Sequence, residues 1–139
     1  MRRHDEEEVV RVLTELVVKL EHRPGTLAAL SELLGANGVD IVALAVMAIS
    51  GDEAVARMVV EPADAAVKVL GEAGARLERV HEVLVVTLDD EPGALGHYCR
   101  RLADAGINLE AVYVAGDGDG SKQLVMAVSD LEAARRIPL

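Results

Sequence analysis

Two short stretches decide how this chain folds: LEHRPGTL at residues 20–27 and LDDEPGAL at residues 88–95. Each runs leucine, three polar residues, Pro-Gly, one further residue and leucine, and the second copy lies 68 positions after the first. The same offset carries Arg11 and Val12 onto Arg79 and Val80, and Leu16, Val17, Val18 and Leu20 onto Leu84, Val85, Val86 and Leu88. It carries Pro24, Gly25, Leu27 and Leu34 onto Pro92, Gly93, Leu95 and Leu102, and Gly38 onto Gly106. Val46, Met58 and Val60 fall on Val114, Met126 and Val128, with no gap anywhere. Matched Pro-Gly steps and glycines at a single offset mark an internal repeat. The chain therefore reads as two copies of one unit, residues 9–76 and 77–139.

Within the first copy, residues 14–20 are rich in β-branched side chains and predict a strand. Pro24 is expected to open a helix, since its fixed φ suits a first turn. Leu27, Leu30, Leu33 and Leu34 recur at helical spacing, and Gly38 ends the helix. Residues 39–50 and 54–61 predict two strands around a Gly-Asp-Glu turn, residues 62–73 a second helix closed by Gly74, and residues 75–81 a fourth strand. The order is βαββαβ. The second copy repeats it: a strand at 83–88, a helix at 93–105, a strand at 107–115, a glycine-rich hairpin tip, a strand at 123–129 and a short helix at 131–137. It has no fourth strand of its own. Residues 9–13 hold the fourth-strand position just ahead of the first copy, and they are expected to pair with the sheet of the second. Four antiparallel strands with both helices on one face make a ferredoxin-like α+β unit. Residues 39–50 are apolar at both alternating sets of positions, which predicts cover on both faces. Either the two units cover each other, or they pair edge to edge and then dimerise.

Bulk properties narrow the function classes. The 139 residues are 51% apolar, yet include no Phe, no Trp and two Tyr. The core must be built from Val, Leu, Ile, Ala and Met, and extra burial through oligomerisation is favoured. A net charge of −10 repels phosphate backbones and acidic bilayers, so neither a nucleic acid nor a membrane is the expected partner. Cys99 is the single cysteine and cannot form an internal disulfide, which fits a reducing, cytoplasmic compartment. The first eight residues read as a solvated tail. His4, His22, His81 and His97 have no metal-ligand spacing. The AGDGDGSKQ stretch lacks the spacing of a nucleotide loop or a calcium loop. Met47, Met58 and Met126 read as packing residues, and Cys99 reads as core rather than nucleophile. Asp89 and Asp90 have no partner acid or base, so no catalytic residue and no cofactor is expected.

The stretches LEHRPGTLAALSELLGANGVDI and LDDEPGALGHYCRRLADAGINL resemble the ACT domain, a small-molecule-sensing module. Each couples Pro-Gly-x-Leu to a Gly-(Val/Ile)-(Asp/Asn)-(Ile/Leu) step whose glycine follows the first by 13 residues. The likeness covers almost the whole chain and is nearest to stand-alone tandem ACT proteins. It implies a non-catalytic protein that binds a free amino acid between this loop and the matching elements of a neighbouring module, and signals its level. The physics agrees. A helix start offers unpaired N–H groups and partial positive charge to a carboxylate, and a glycine there lets the ligand approach.

The expected ligand residues are His22, Arg23, Pro24, Gly25, Thr26, Leu27 and Asp40 in the first unit. In the second they are Asp89, Asp90, Pro92, Gly93, Ala94, Leu95 and Asn108, with Asp40 and Asn108 expected beside their own Pro-Gly loops. The acidic second set is the better host for an α-ammonium group. Arg23 has an equal claim as half of an ion pair between the units. A homodimer is the expected assembly. A detached regulatory subunit with an enzyme partner, and a small ferredoxin-like enzyme, are the alternatives.

Overall fold

The computed structural model describes residues 9–139; the tail expected over residues 1–8 lies outside them. Its elements are β1 (Val10–Glu21), α1 (Thr26–Ala36), β2 (Asp40–Ser50), β3 (Glu53–Glu61) and α2 (Ala63–Glu72). They continue as β4 (Arg76–Asp89), α3 (Ala94–Asp104), β5 (Leu109–Gly118), β6 (Ser121–Val128) and α4 (Leu131–Arg135). The residues divide into two compact units, Thr14–His81 and Glu82–Leu139 with residues 9–13. The long strands β1 and β4 each contribute to both.

In the first unit the strands lie in the order β2-β3-β1-β4. β3 is antiparallel to β1, with Leu16 opposite Met58, and to β2, with Leu44 opposite Met58. Buried Leu16, Val18, Ala56, Met58 and Val60 of the sheet meet Leu30 and Leu34 of α1 and Ala66 and Leu70 of α2. In the second unit the order is β1-β4-β6-β5. The Thr87 N–H donates to the Val9 carbonyl at 2.8 Å. Counted from each unit's own opening strand, both sheets run second, third, first, fourth, the ferredoxin-like order, with helices packed on the sheet.

The two cores are built from equivalent positions. Leu16, Val18, Leu34, Met58 and Ala66 correspond to Leu84, Val86, Leu102, Met126 and Ala134, and all ten are buried. A repeat held together this way keeps leucine and methionine where the helices seat, because a closely packed core tolerates volume changes poorly.

Three details differ from the sequence reading. β2 is an edge strand paired only with β3, and within the single chain its apolar side chains are not all covered: Leu44, Val46, Met47 and Ile49 are exposed, Met47 at 57%. Met47 is therefore surface, whereas Met58 and Met126 are core. The β5–β6 hairpin also extends further than expected, to Asp117 opposite Lys122 and Gly118 opposite Ser121. A tight Asp119-Gly120 turn with φ of 54° and 76° closes it, and this left-handed pair suits a strand twist.

One polar cluster interrupts the first unit. Glu15 of β1 is fully buried. Arg57 of β3 clasps its carboxylate with two bonds, Nε to Oε2 at 3.1 Å and an η nitrogen to Oε1 at 3.0 Å. His81 Nε2 of β4 lies 2.6 Å from Oε1. Such a fork satisfies a carboxylate that would otherwise be costly to bury.

Candidate functional site: the Pro-Gly loops and the second-unit cavity

The two Pro-Gly loops share one backbone design. The His22 N–H donates to the Asp52 carbonyl at 2.6 Å, and 68 positions later the Asp90 N–H donates to the Gly120 carbonyl at 2.9 Å. Each loop is thereby tied to the neighbouring hairpin tip. Gly25 and Gly93 then take φ of +94° and +93°, a left-handed conformation that costs an L side chain about 1–2 kcal/mol. Their carbonyls accept the first helical bonds, from the Ala29 N–H at 2.9 Å and the His97 N–H at 3.0 Å. The helices begin at Thr26 and Ala94 with the glycines as N-caps, not at Pro24 or Gly93 as the sequence suggested. Proline presets the turn; glycine makes the reversal into the helix.

The side chains on these loops differ. In the first unit Arg23 pairs with Glu21 at the end of β1, an η nitrogen lying 2.7 Å from Oε1. Both are well exposed, so this pair contributes under about 1 kcal/mol. The Thr26 hydroxyl donates to the Glu21 carbonyl at 2.8 Å, His22 is exposed, and Leu27 packs on the core. In the second unit Asp90 faces Lys122 at 3.1 Å, and Leu95 is 41% exposed.

Asp40 and Asn108 are not beside these loops within their units. Asp40 opens β2 and Asn108 immediately precedes β5, each at the far end of the helix from its loop. Eleven residues of helix span about 16 Å, so Asn108 cannot share a small ligand with Gly93 of the same unit. The Asn108 backbone instead bonds to Ser129, whose Oγ accepts its N–H at 2.9 Å.

Beside the second Pro-Gly loop opens a cavity of about 840 Å3. Asp89, Glu91 and Asp119 supply acid, His97 and Arg101 supply base, and Thr87, Tyr98, Ser121 and Gln123 supply neutral polar groups, with Val9, Leu88, Ala94 and Leu139 as apolar wall. Of the expected ligand residues, Asp89 and Ala94 line it, while Asp90, Pro92, Gly93 and Leu95 do not. His97 and Arg101 are one turn apart on α3, on the same helix face. Arg101 donates one bond to the Pro138 carbonyl at 3.1 Å, leaving other guanidinium N–H groups for a ligand. The Tyr98 hydroxyl is buried with no hydrogen-bond partner. Burial first, and Cys99 beside it second, raise the Tyr98 phenol above its ordinary 10.0.

His97, Tyr98 and Arg101 carry no local motif of their own, since they lie along the helix behind the loop and not in it. The repeat itself holds the signal: their counterparts are Ala29, Leu30 and Leu33. Cys99 is partly buried, and burial raises its thiol above the ordinary 9.0, so it is a poor nucleophile. Among the described residues no group of His, Cys, Asp or Glu is arranged to hold a metal ion, and no helix is long and apolar enough to cross a membrane.

Comparison with known proteins supports the same architecture. A solved protein from Bacteroides thetaiotaomicron is 23% identical, with a TM-score of 0.81 over 91% of this chain and 85% of that one. The ligand-free regulatory subunit of aspartate kinase from Thermus thermophilus is 15% identical, with a TM-score of 0.66 over 91% and 92% of the two chains. Escherichia coli aspartokinase III, solved with lysine and aspartate, is 17% identical, with a TM-score of 0.54 over 91% of this chain and 30% of that one. These likenesses are likenesses of fold. No curated protein matches. The model of the ACT domain pair matches residues 11–138, and with two ferredoxin-like units behind that match the chain belongs to the ACT domain pair family.

Proposed function

We propose that this ACT pair is a non-catalytic, cytoplasmic regulatory protein that binds a free amino acid at its Pro-Gly loop and reports the level of that amino acid. The observation that carries the reading is the second unit's loop. The helix start at Ala94, which follows the positive-φ Gly93, opens on a cavity furnished with both charge signs, as a zwitterion requires. Binding would shift the population of conformations the protein offers to a partner. A thermal-shift screen against the twenty amino acids at millimolar concentration tests it. Ligand at 100 times its dissociation constant adds about 2.7 kcal/mol to the folded state, a rise of several degrees at this size. One amino acid, or a few related ones, should raise the melting temperature; a flat screen overturns the reading.

The protein is proposed to act as a homodimer joined through β2. That edge strand has no charged residue from Ile41 to Ser50, and it exposes Leu44, Val46, Met47 and Ile49. An unguarded apolar edge invites pairing with a second copy. Light scattering should give twice the chain mass, and Met47→Lys should reduce it to one; a monomeric wild type refutes this assembly.

A second reading is a detached regulatory subunit of an amino-acid biosynthetic enzyme. The likeness to the separate regulatory subunit from Thermus thermophilus favours it. Purification from the source cells in complex with a large catalytic chain would select it.

A further inference from the structure

We propose that ligand binding is confined to the second unit, in the cavity behind its Pro-Gly loop, and that the site selects an amino acid of net positive charge. The inference rests on the amino acid-binding reading and adds the residues, the stoichiometry and the class of ligand. Arg101 and His97 lie one turn apart along α3 and line the cavity, Arg101 from the last turn of the helix. They form the carboxylate end, where a guanidinium can bond in parallel to both oxygens. Asp89, Glu91 and Asp119 line the same cavity and form the cationic end. The lining holds three carboxylates against one guanidinium and one imidazole, so a ligand with two positive groups and one negative group balances it better than a neutral zwitterion does.

Two independent observations support a built site. Tyr98 is among the residues lining the cavity, is 1% exposed, and leaves its buried hydroxyl without a partner. A buried unpaired hydroxyl is destabilising in the free protein, and a small side-chain shift toward a polar ligand would satisfy it. The repeat supplies the second. The first unit replaces His97, Tyr98 and Arg101 with Ala29, Leu30 and Leu33, and Asp119 with Gly51. Leu30 is buried in the first unit's core, and Leu33 packs against it. There Lys19 and Glu53 pair at 3.6 Å where the second unit has Thr87 and Ser121. The same backbone thus carries a polar cavity wall in one copy and an apolar helix face in the other.

Titration calorimetry on the full chain tests this with lysine, arginine, alanine and glutamate as probes, against wild type and the double variant His97→Ala, Arg101→Leu. Both residues are exposed, and the replacements are those the first unit already carries at the equivalent positions of α1. Lysine or arginine should bind with one site per chain, and the double variant should bind at least about tenfold more weakly, as loss of a charged hydrogen bond implies. Arg101→Lys should recover part of the loss. The melting temperature of the free variants guards against unfolding. Undiminished binding in the double variant, two sites per chain, or preference for glutamate overturns the cavity assignment while leaving an amino acid-binding protein. Binding of none of the probes, with a flat screen of all twenty, overturns the underlying reading as well.

Discussion

The two Pro-Gly loops have nearly the same backbone and almost opposite chemistry. Both place a glycine at φ near +93° and hang the loop on the adjacent hairpin by one N–H···O bond. Yet the first closes its charges on itself through Arg23 and Glu21, while the second turns Asp89 and Glu91 toward a cavity. Duplication preserved what the backbone requires, a residue tolerant of positive φ. It did not preserve the side chains around it. A matched motif therefore locates a loop, and only its surroundings say whether the loop does chemistry.

The sheets show the same divergence in a place unrelated to ligand. Glu15, Arg57 and the strand position of His81 in the first unit correspond to Val83, Val125 and Leu13 in the second. Val83 and Val125 are fully buried, so one fold holds an ion cluster where its copy holds hydrocarbon. Breaking such a cluster from one side leaves an uncompensated buried charge, whereas replacing all of it with packed apolar groups is often neutral. Glu15→Ala should cost about 3–5 kcal/mol in a denaturant titration, the largest effect expected here. The triple replacement Glu15→Val, Arg57→Val, His81→Leu should cost much less than that single change. If the triple variant is the less stable of the two, the cluster contributes more than mutual compensation.

The loop glycines sharpen the comparison at a smaller scale. A Cβ on Gly25 meets nothing within 4 Å, and one on Gly93 meets only the His97 ring at 3.9 Å. Space is therefore available, and the cost of a substitution is conformational. Gly25→Val and Gly93→Val should each lose about 1–2 kcal/mol, while Asn at either position should lose less, since it visits the left-handed region more readily. Only the Gly93 changes should also weaken binding of an amino acid. Equal loss of binding from Gly25→Val would return the first loop to the site.

Much of this was legible in the sequence. The 68-residue offset reported the repeat, the element order and most of the core, because periodicity and buried leucines are local signals. What stayed hidden depends on where the chain returns. Glu15, Arg57 and His81 are far apart in sequence and meet only when three strands align. Asn108 follows the helix closely in sequence, yet the helix itself carries it about 16 Å from Gly93. The polar face of α3 was present in plain view as His97 and Arg101, but its meaning emerges only against Ala29 and Leu33 at the equivalent positions.

Tyr98 gives the smallest and most diagnostic contrast. Its counterpart, Leu30, is a buried residue with nothing to satisfy, whereas Tyr98 brings the same core position a hydroxyl that finds no partner. Tyr98→Phe removes that hydroxyl and keeps the ring, so the free protein should gain up to about 1 kcal/mol of stability. The gain should grow in alkali. Burial raises the folded phenol above 10.0, so the wild type keeps this residue's full contribution below the unfolded pKa and loses it as pH rises through the folded value. Phenylalanine has no such loss. If the hydroxyl serves a ligand, the same substitution should weaken binding while it strengthens the fold. Melting curves and calorimetry on the one variant would then move in opposite directions, and a change that strengthened both would reduce Tyr98 to a packing residue like Leu30.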